Sequence, residues 1–102
     1  GPFHPAFRQL VEERLYLNSI ADNLEVKKLK DDITIKANKN VMSYVVGHGK
    51  RNINFINNVI GLKKIHFQEI EEKDVVEIYD GLNLIAKIKK EDMYNDFIKY
   101  FY

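Results

Sequence analysis

Apolar residues in the N-terminal quarter of the chain recur every three or four positions. A period of this length is typical of an amphipathic helix that buries one stripe, and Pro5 suits its first turn, where no amide donor is needed. We therefore predict a helix over residues 5–22 with charged residues on its solvent side. The apolar stripe contains Phe7, Leu10, Val11, Leu15, Leu17, Ile20, Ala21 and Leu24. The charged side chains on the other side are Arg8, Glu12, Glu13 and Arg14.

The pattern then changes to an alternation of apolar and polar residues. This alternation begins at residues 24–26, breaks at the polar residues 30–32 and resumes at residues 33–37. A period of two is typical of strands. Two strands joined by a polar turn are therefore predicted.

Two helices separated by a glycine-containing loop are predicted next. Residues 38–40 offer N-cap side chains to a short helix over residues 41–46, because asparagine accepts hydrogen bonds from first-turn amides. The loop at residues 47–50 separates this helix from a second one over residues 51–60. Gly61 follows at the position where a helix terminator in the left-handed region is expected.

The C-terminal half of the chain adds three strands. Residues 64–68 alternate again and predict a strand. Further on, Asp80-Gly81 separates the apolar runs 75–79 and 82–88. An Asp-Gly pair between two apolar runs is a strong signal for a β-hairpin.

A terminal helix is predicted from Glu91 onward. Its apolar face contains Met93, Phe97, Ile98 and Phe101. The predicted element order is typical of an α+β fold in which helices cover one face of a small sheet, with a C-terminal β-hairpin and helix. A length of 102 residues fits one compact domain.

Composition excludes several classes of site and of protein. The chain has no cysteine, so a disulfide, a zinc–thiolate site and a cysteine nucleophile are impossible. No apolar run approaches the roughly 18 residues that suggest a membrane span. We therefore expect no membrane association and a cytoplasmic location.

The three histidines and two serines suggest no catalytic or metal site. The histidines, at positions 4, 48 and 66, have no ligand-like spacing. Ser19 and Ser43 both fall within predicted helices, and no Ser-His-carboxylate grouping stands out. A non-catalytic protein without cofactor or metal is predicted.

The net charge of +1 conceals an uneven distribution of charges. Residues 1–25 carry two basic and four acidic side chains, whereas residues 26–66 carry nine basic and two acidic ones. Residues 67–102 carry five basic and nine acidic side chains. The cationic block at 26–66 is suited to a polyanion such as a nucleic acid. A solvated charged surface is the alternative that charge alone leaves open.

The centre of this block carries a more specific pattern. A short helix ends in Val45-Val46, a loop with two glycines and two basic side chains follows, and a second helix begins at once. This segment resembles the K homology (KH) fold, most closely the second KH domain of NusA-type transcription factors. The matching residues are Val45, Val46, Gly47, His48, Gly49, Asn52, Gly61 and Ile65, with one extra residue between the last two.

The resemblance covers residues 33–68 by motif and residues 5–32 by element order. It implies a KH-like domain over residues 5–71, with residues 72–102 as a hairpin–helix extension packed on the same domain. The preceding helix and strand favour the type II topology. Residues 72–102 could instead supply the trailing strand and helix of the type I order.

In KH domains the Gly-x-x-Gly loop lets a nucleic-acid backbone approach closely, beside an apolar groove for about four unpaired nucleotides. The resemblance therefore implies binding of single-stranded RNA or single-stranded DNA. The implied loop and the start of the next helix consist of Gly47, His48, Gly49, Lys50, Arg51 and Asn52. The implied groove floor consists of Val45, Val46, Ile53 and Ile56. The implied strand edge consists of Lys64, Ile65 and His66.

Lys50 departs from the motif, whose fourth residue is normally glycine. Its side chain could obstruct the sugar–phosphate backbone, or it could contact a phosphate. The alternative function is therefore a degenerate KH-like module for protein–protein contact or assembly within a larger protein. The aromatic tail offers a surface for such a partner, because one helix stripe cannot bury all of its rings. The tail aromatics are Tyr94, Phe97, Tyr100, Phe101 and Tyr102.

Overall fold

The computed structural model describes residues 5–25, 29–61 and 64–101, with side chains at 9–25, 29–58, 61 and 64–95. The fold is α+β, with four α-helices and four strands in the described residues. The helices are α1 (Pro5–Glu25), α2 (Lys39–Val46), α3 (Arg51–Ile60) and α4 (Lys90–Phe101). The strands are β1 (Ile33–Ala37), β2 (Ile65–Glu69), β3 (Val75–Asp80) and β4 (Asn83–Lys89).

The four strands form one mixed sheet in the order β2-β1-β3-β4. The strand β1 pairs in parallel with β2 and antiparallel with β3, so that Ile35 lies between Phe67 and Ile78. The pair α2–α3 connects β1 to β2, as expected because parallel neighbours need a long crossover. The crossover therefore carries the glycine-containing loop.

The core lies on one face of the sheet, against residues from all four helices. On β1, Ile33, Ile35 and Ala37 are fully buried, while the intervening Thr34 and Lys36 are half-buried. This alternation places the core on one side of β1, because successive strand side chains point to opposite faces. The helix residues in this core are Tyr16, Leu17, Ile20, Leu24, Val41, Val45, Ile56 and Met93.

The first of the two strands predicted before the loop is wrong. Leu24 lies inside α1, which continues to Glu25, and its side chain is 2% exposed. Leu29 and Lys30 belong to no strand, and residues 26–28 lie outside the described part of the chain. Leu24 lies four residues after Ile20 on the same buried stripe of α1. This packing keeps the segment helical despite the short alternation of apolar and polar residues.

The connection between α1 and β1 is held by the carboxylate of Asp80, at the end of β3. Asp80 is 8% exposed and accepts hydrogen bonds from the amides of Lys30 and Asp31, at 2.9 and 2.7 Å. These amides are therefore paired with a side chain rather than with a neighbouring strand.

The other predicted elements are confirmed. Asn38 caps α2, because its side chain accepts a hydrogen bond from the Asn40 amide at 3.1 Å. Gly61 ends α3 with φ 71° and ψ −123°, a positive-φ conformation that is not left-handed helical. The hairpin turn lies one residue later than predicted, since Asp80 pairs with Asn83 across Gly81 and a fully exposed Leu82.

The terminal helix α4 is confirmed, beginning one residue before the predicted start. Met93 is 4% exposed and joins the core. Five other side chains, whose burial or exposure the sequence predicts, lie outside the described part of the chain. They are those of Phe97, Ile98, Tyr100, Phe101 and Tyr102.

The prediction that Glu12 and Glu13 face solvent is wrong, because each is only 4% exposed. Glu12 accepts a hydrogen bond of 2.6 Å from the hydroxyl of Tyr94 in α4, and the ammonium of Lys90 lies 3.5 Å away. A buried carboxylate needs such partners. On the same helix Leu10, predicted in the apolar stripe, is 47% exposed.

These contacts give the stability a pH dependence. Burial raises the pKa of Glu12, but the Tyr94 hydrogen bond and the Lys90 charge outweigh it, so the pKa lies below the ordinary 4.5. A lowered pKa means that folding favours the ionised carboxylate. This contribution is fully present above about pH 4.5 and is lost as the pH falls through the folded-state pKa.

Replacement of Glu12 by glutamine (E12Q) is expected to lower the free energy of unfolding by about 1–2 kcal/mol near neutral pH. The difference from the wild type is expected to narrow as the pH falls below about 4.5 and through the lower folded-state pKa of Glu12, where Glu12 also becomes neutral. Urea unfolding of both proteins across this pH range measures the difference in their free energies of unfolding. An E25Q variant is the control, because Glu25 is exposed on the same helix. A wild-type–E12Q difference that stays constant with pH would contradict this account.

Candidate nucleic-acid interface

The loop predicted to bind nucleic acid (residues 47–50, hereafter the glycine loop) has three residues at positive φ. Gly47 has φ 78° and ψ 160°, Gly49 has φ 63° and ψ 27°, and Lys50 has φ 60° and ψ 25°. Glycine adopts such angles without the steric cost that a Cβ imposes. Lys50 occupies the left-handed region at a cost of roughly 1 kcal/mol, so the missing glycine does not prevent this backbone path.

The glycine loop is attached to α1 through Glu13 and Asn52. The carboxylate of Glu13 accepts a hydrogen bond from the His48 amide at 3.0 Å. The side-chain amide of Asn52, which is 2% exposed, donates to the carbonyl oxygens of Glu13 and Tyr44, both at 3.0 Å. Asn52 therefore connects α3 to both α1 and α2, and its role in the structure is to position the loop.

Gly47 packs closely against Asn52 of α3. A Cβ at this position would lie 2.9 Å from Cγ of Asn52 and 3.0 Å from the backbone nitrogen of Asn52. Such distances are shorter than van der Waals contact. Only glycine fits here without movement of Asn52.

Most of the loop amides donate hydrogen bonds within the protein. The amide of Gly47 donates to Ser43 at 3.1 Å, that of Lys50 to Gly47 at 3.1 Å, and that of Arg51 to the His48 carbonyl. The His48 amide donates to Glu13. A phosphate at this loop would therefore be held mainly by side chains.

Three basic or potentially basic side chains at the loop are exposed, those of His48, Lys50 and Arg51. Among the described side chains, α3 carries no acidic residue. Glu13 lies beneath the loop with little exposed surface. The solvent-facing charge at the start of α3 is therefore positive, which suits an anionic ligand.

The predicted groove floor is only partly accessible. Val45 and Ile56 have no exposed surface and belong to the core, so they offer nothing to a ligand. Val46 and Ile53 are half-buried. Among the side chains of α3 that the structure describes, the exposed apolar one is instead Phe55, at 48% exposure, which the sequence pattern did not indicate.

Lys64 and His66 lie at the start of β2, an edge strand of the sheet, and both are exposed. Asp32 faces them: its carboxylate accepts a hydrogen bond from the Lys64 amide at 3.2 Å and lies 3.6 Å from Nε2 of His66. The Lys64 hydrogen bond is the main cause that lowers the pKa of Asp32, and His66 adds to it. This carboxylate offsets part of the positive charge at the edge.

Two further observations concern metals and membranes. Among the described residues, no three histidine, aspartate or glutamate side chains are placed to hold a metal ion together. No helix in the described part of the chain combines the length and apolarity needed to cross a bilayer. His4 lies outside the described residues.

Comparison of the chain with protein-family models, with curated proteins and with solved structures finds no match.

Proposed function

We propose that this protein is a KH-like domain without catalytic activity that binds single-stranded RNA, or single-stranded DNA, at the glycine loop and the start of α3. The proposal is supported by one arrangement above all. A loop with three positive-φ residues joins two short helices and places Lys50 and Arg51 together in solvent. The β1-α2-loop-α3-β2 order around it agrees with the KH-like motif in the sequence.

In this proposal the phosphate is recognised by charge more than by backbone amides. Four amides of residues 47–51 already donate within the protein. Lys50 lies where the KH motif has its last glycine. Its ammonium contacts the phosphate in place of the loop amides that already donate within the protein. Binding through cations depends strongly on salt concentration, because it releases counterions from the nucleic acid.

The test is a titration of a short unpaired RNA or DNA oligonucleotide, followed by fluorescence anisotropy at increasing salt. The wild type is expected to bind at low salt, with affinity falling as salt rises. The double variant K50Q/R51Q is expected to bind more weakly and with a salt slope reduced by about 1.4, which corresponds to two phosphates of a single strand.

The matched control is K73Q/K89Q, which removes two exposed lysines outside the cationic block 26–66. This variant is expected to retain the wild-type affinity apart from a small general effect of net charge. A duplex of the same sequence is expected to compete poorly. No binding by the wild type at low salt, or an unchanged salt slope in K50Q/R51Q, would overturn the proposed function.

A second candidate is a degenerate KH-like module that binds a protein. One contact favours it. The carboxylate of Glu13 accepts the hydrogen bond of the His48 amide, so this amide is not available to a ligand phosphate. The variant K50G separates the two candidates, since Lys50 already has a glycine-like backbone conformation. Weaker oligonucleotide binding by K50G supports the lysine as a phosphate contact, and a gain of binding supports a lost nucleic-acid site.

A further inference from the structure

An aromatic side chain lies exposed one turn after the cations that open α3. Phe55 is 48% exposed, although phenylalanine is usually buried in a domain of this kind. It lies four residues after Arg51, a spacing that makes two side chains neighbours on a helix surface. The rise between the two positions is about 6 Å. This separation is of the order of that between the phosphate and the base of one nucleotide.

Phe55 belongs to a flank of α3 that differs from the one predicted by sequence resemblance. Arg51, Phe55 and Asn58 follow one another at four- and three-residue spacing, and all three are exposed. Ile53 is half-buried and lies two positions from Phe55, on the other side of the helix. The core residues Asn52 and Ile56 separate these two flanks.

The charge of this flank favours one class of occupant. The N-terminal end of this flank carries Lys50 and Arg51, and α3 contains no acidic residue. An apolar protein partner would have to cover these two cations without neutralising them, which is costly. A single nucleic-acid strand offers phosphates for the cations and a flat π-face for the ring of Phe55.

We propose that Phe55 is the base-stacking residue of this protein, receiving an unpaired base of a strand whose phosphate lies at Lys50 and Arg51. The inference rests on the proposed function and adds the path of the strand, along the Arg51–Phe55–Asn58 flank. Asn58 lies one turn further along and presents an amide that can donate and accept hydrogen bonds. Stacking tolerates any base, so little sequence preference arises from Phe55 itself.

The first test compares the oligonucleotide affinity of F55A with that of L10A. Leu10 is exposed to the same extent, at 47%, on a different helix, so L10A controls for general loss of apolar surface. F55A is expected to bind between about fivefold and a hundredfold more weakly than the wild type, the range for one lost base stack. L10A is expected to bind like the wild type. K50Q/R51Q is expected to retain any stacking but to bind with the reduced salt slope given above.

The second test uses the absence of tryptophan from the chain. The variant F55W introduces a single indole at this position, and its fluorescence is expected to be quenched when a base stacks on it. L10W is the control and is expected to keep its fluorescence on addition of the oligonucleotide. Titration with an abasic strand of equal length is expected to leave F55W unquenched as well.

The outcomes separate this inference from the proposed function. If the wild type binds but F55A binds equally well and F55W is not quenched, Phe55 does not stack and the strand follows another path. If the wild type does not bind any oligonucleotide, the proposed function and the stacking role both fail. Equal losses in F55A and L10A would show a nonspecific apolar effect and would also overturn the inference.

Discussion

Replacement of Gly47 by alanine (G47A) is expected to lower the free energy of unfolding by about 3 kcal/mol. Two costs add at this position. The residue has φ 78°, which an L side chain rarely adopts, and its new Cβ would lie 2.9 Å from Cγ of Asn52. Asn52 cannot move away freely, because its amide is bound to two carbonyl oxygens. Urea unfolding followed by circular dichroism measures the change.

Gly49 provides the matched control for this prediction. Its φ is 63°, but a Cβ there would meet no heavy atom within 4 Å. G49A is therefore expected to lower the free energy of unfolding by about 1 kcal/mol, because only the positive φ is unfavourable for alanine there. Equal destabilisation by the two variants would contradict the importance of the contact between Gly47 and Asn52.

Replacement of Asn52 by alanine (N52A) is also expected to lower the free energy of unfolding by about 3 kcal/mol. The variant removes both hydrogen bonds from the side-chain amide and leaves the carbonyls of Glu13 and Tyr44 without this donor. Thermal or urea unfolding measures the loss. N57A is the control on the same helix, since Asn57 is exposed and alanine favours the helix slightly more.

The two substitutions are expected to be non-additive, because the residues are in contact. Removal of the Asn52 side chain takes away the contacts of Cγ and Oδ1 with a Cβ at position 47, while the Asn52 backbone nitrogen remains 3.0 Å from it. The double variant G47A/N52A is thus expected to be more stable than the sum of the two single losses implies. A purely additive result would show that the Asn52 side chain does not contribute to the strain in G47A.

Local signals in the sequence were sufficient for most of the elements. Asn38 and Gly61 lie at the boundaries where cap chemistry placed them. These predictions succeeded because a cap involves only residues a few positions apart. The hairpin at Asp80-Gly81 was predicted for the same reason, with an error of one residue in the turn.

The failures concern residues whose partners are distant in sequence. Glu13 was predicted on the solvent side, but it binds an amide 35 positions away, and Glu12 binds Tyr94 82 positions away. No helical period can reveal such partners. Leu24 was assigned to a strand because a short alternation does not show whether a preceding helix continues.

The candidate site was foreseen only in part. The loop lies between two helices as predicted and its cations are exposed, because a contiguous motif marks it, while its binding role stays a prediction. Asn52 and Ile56 were expected at the ligand, but their side chains are buried. Phe55 was not singled out, because its exposure depends on how α3 packs against α1 and α2, which the spacing within α3 does not determine.

Glu12 and Glu13 are consecutive, so a single turn of α1 contacts both the C-terminal helix and the glycine loop. One carboxylate holds α4 through Tyr94, and the next holds the glycine loop through His48. A substitution that displaces this turn of α1 is therefore expected to disturb both contacts.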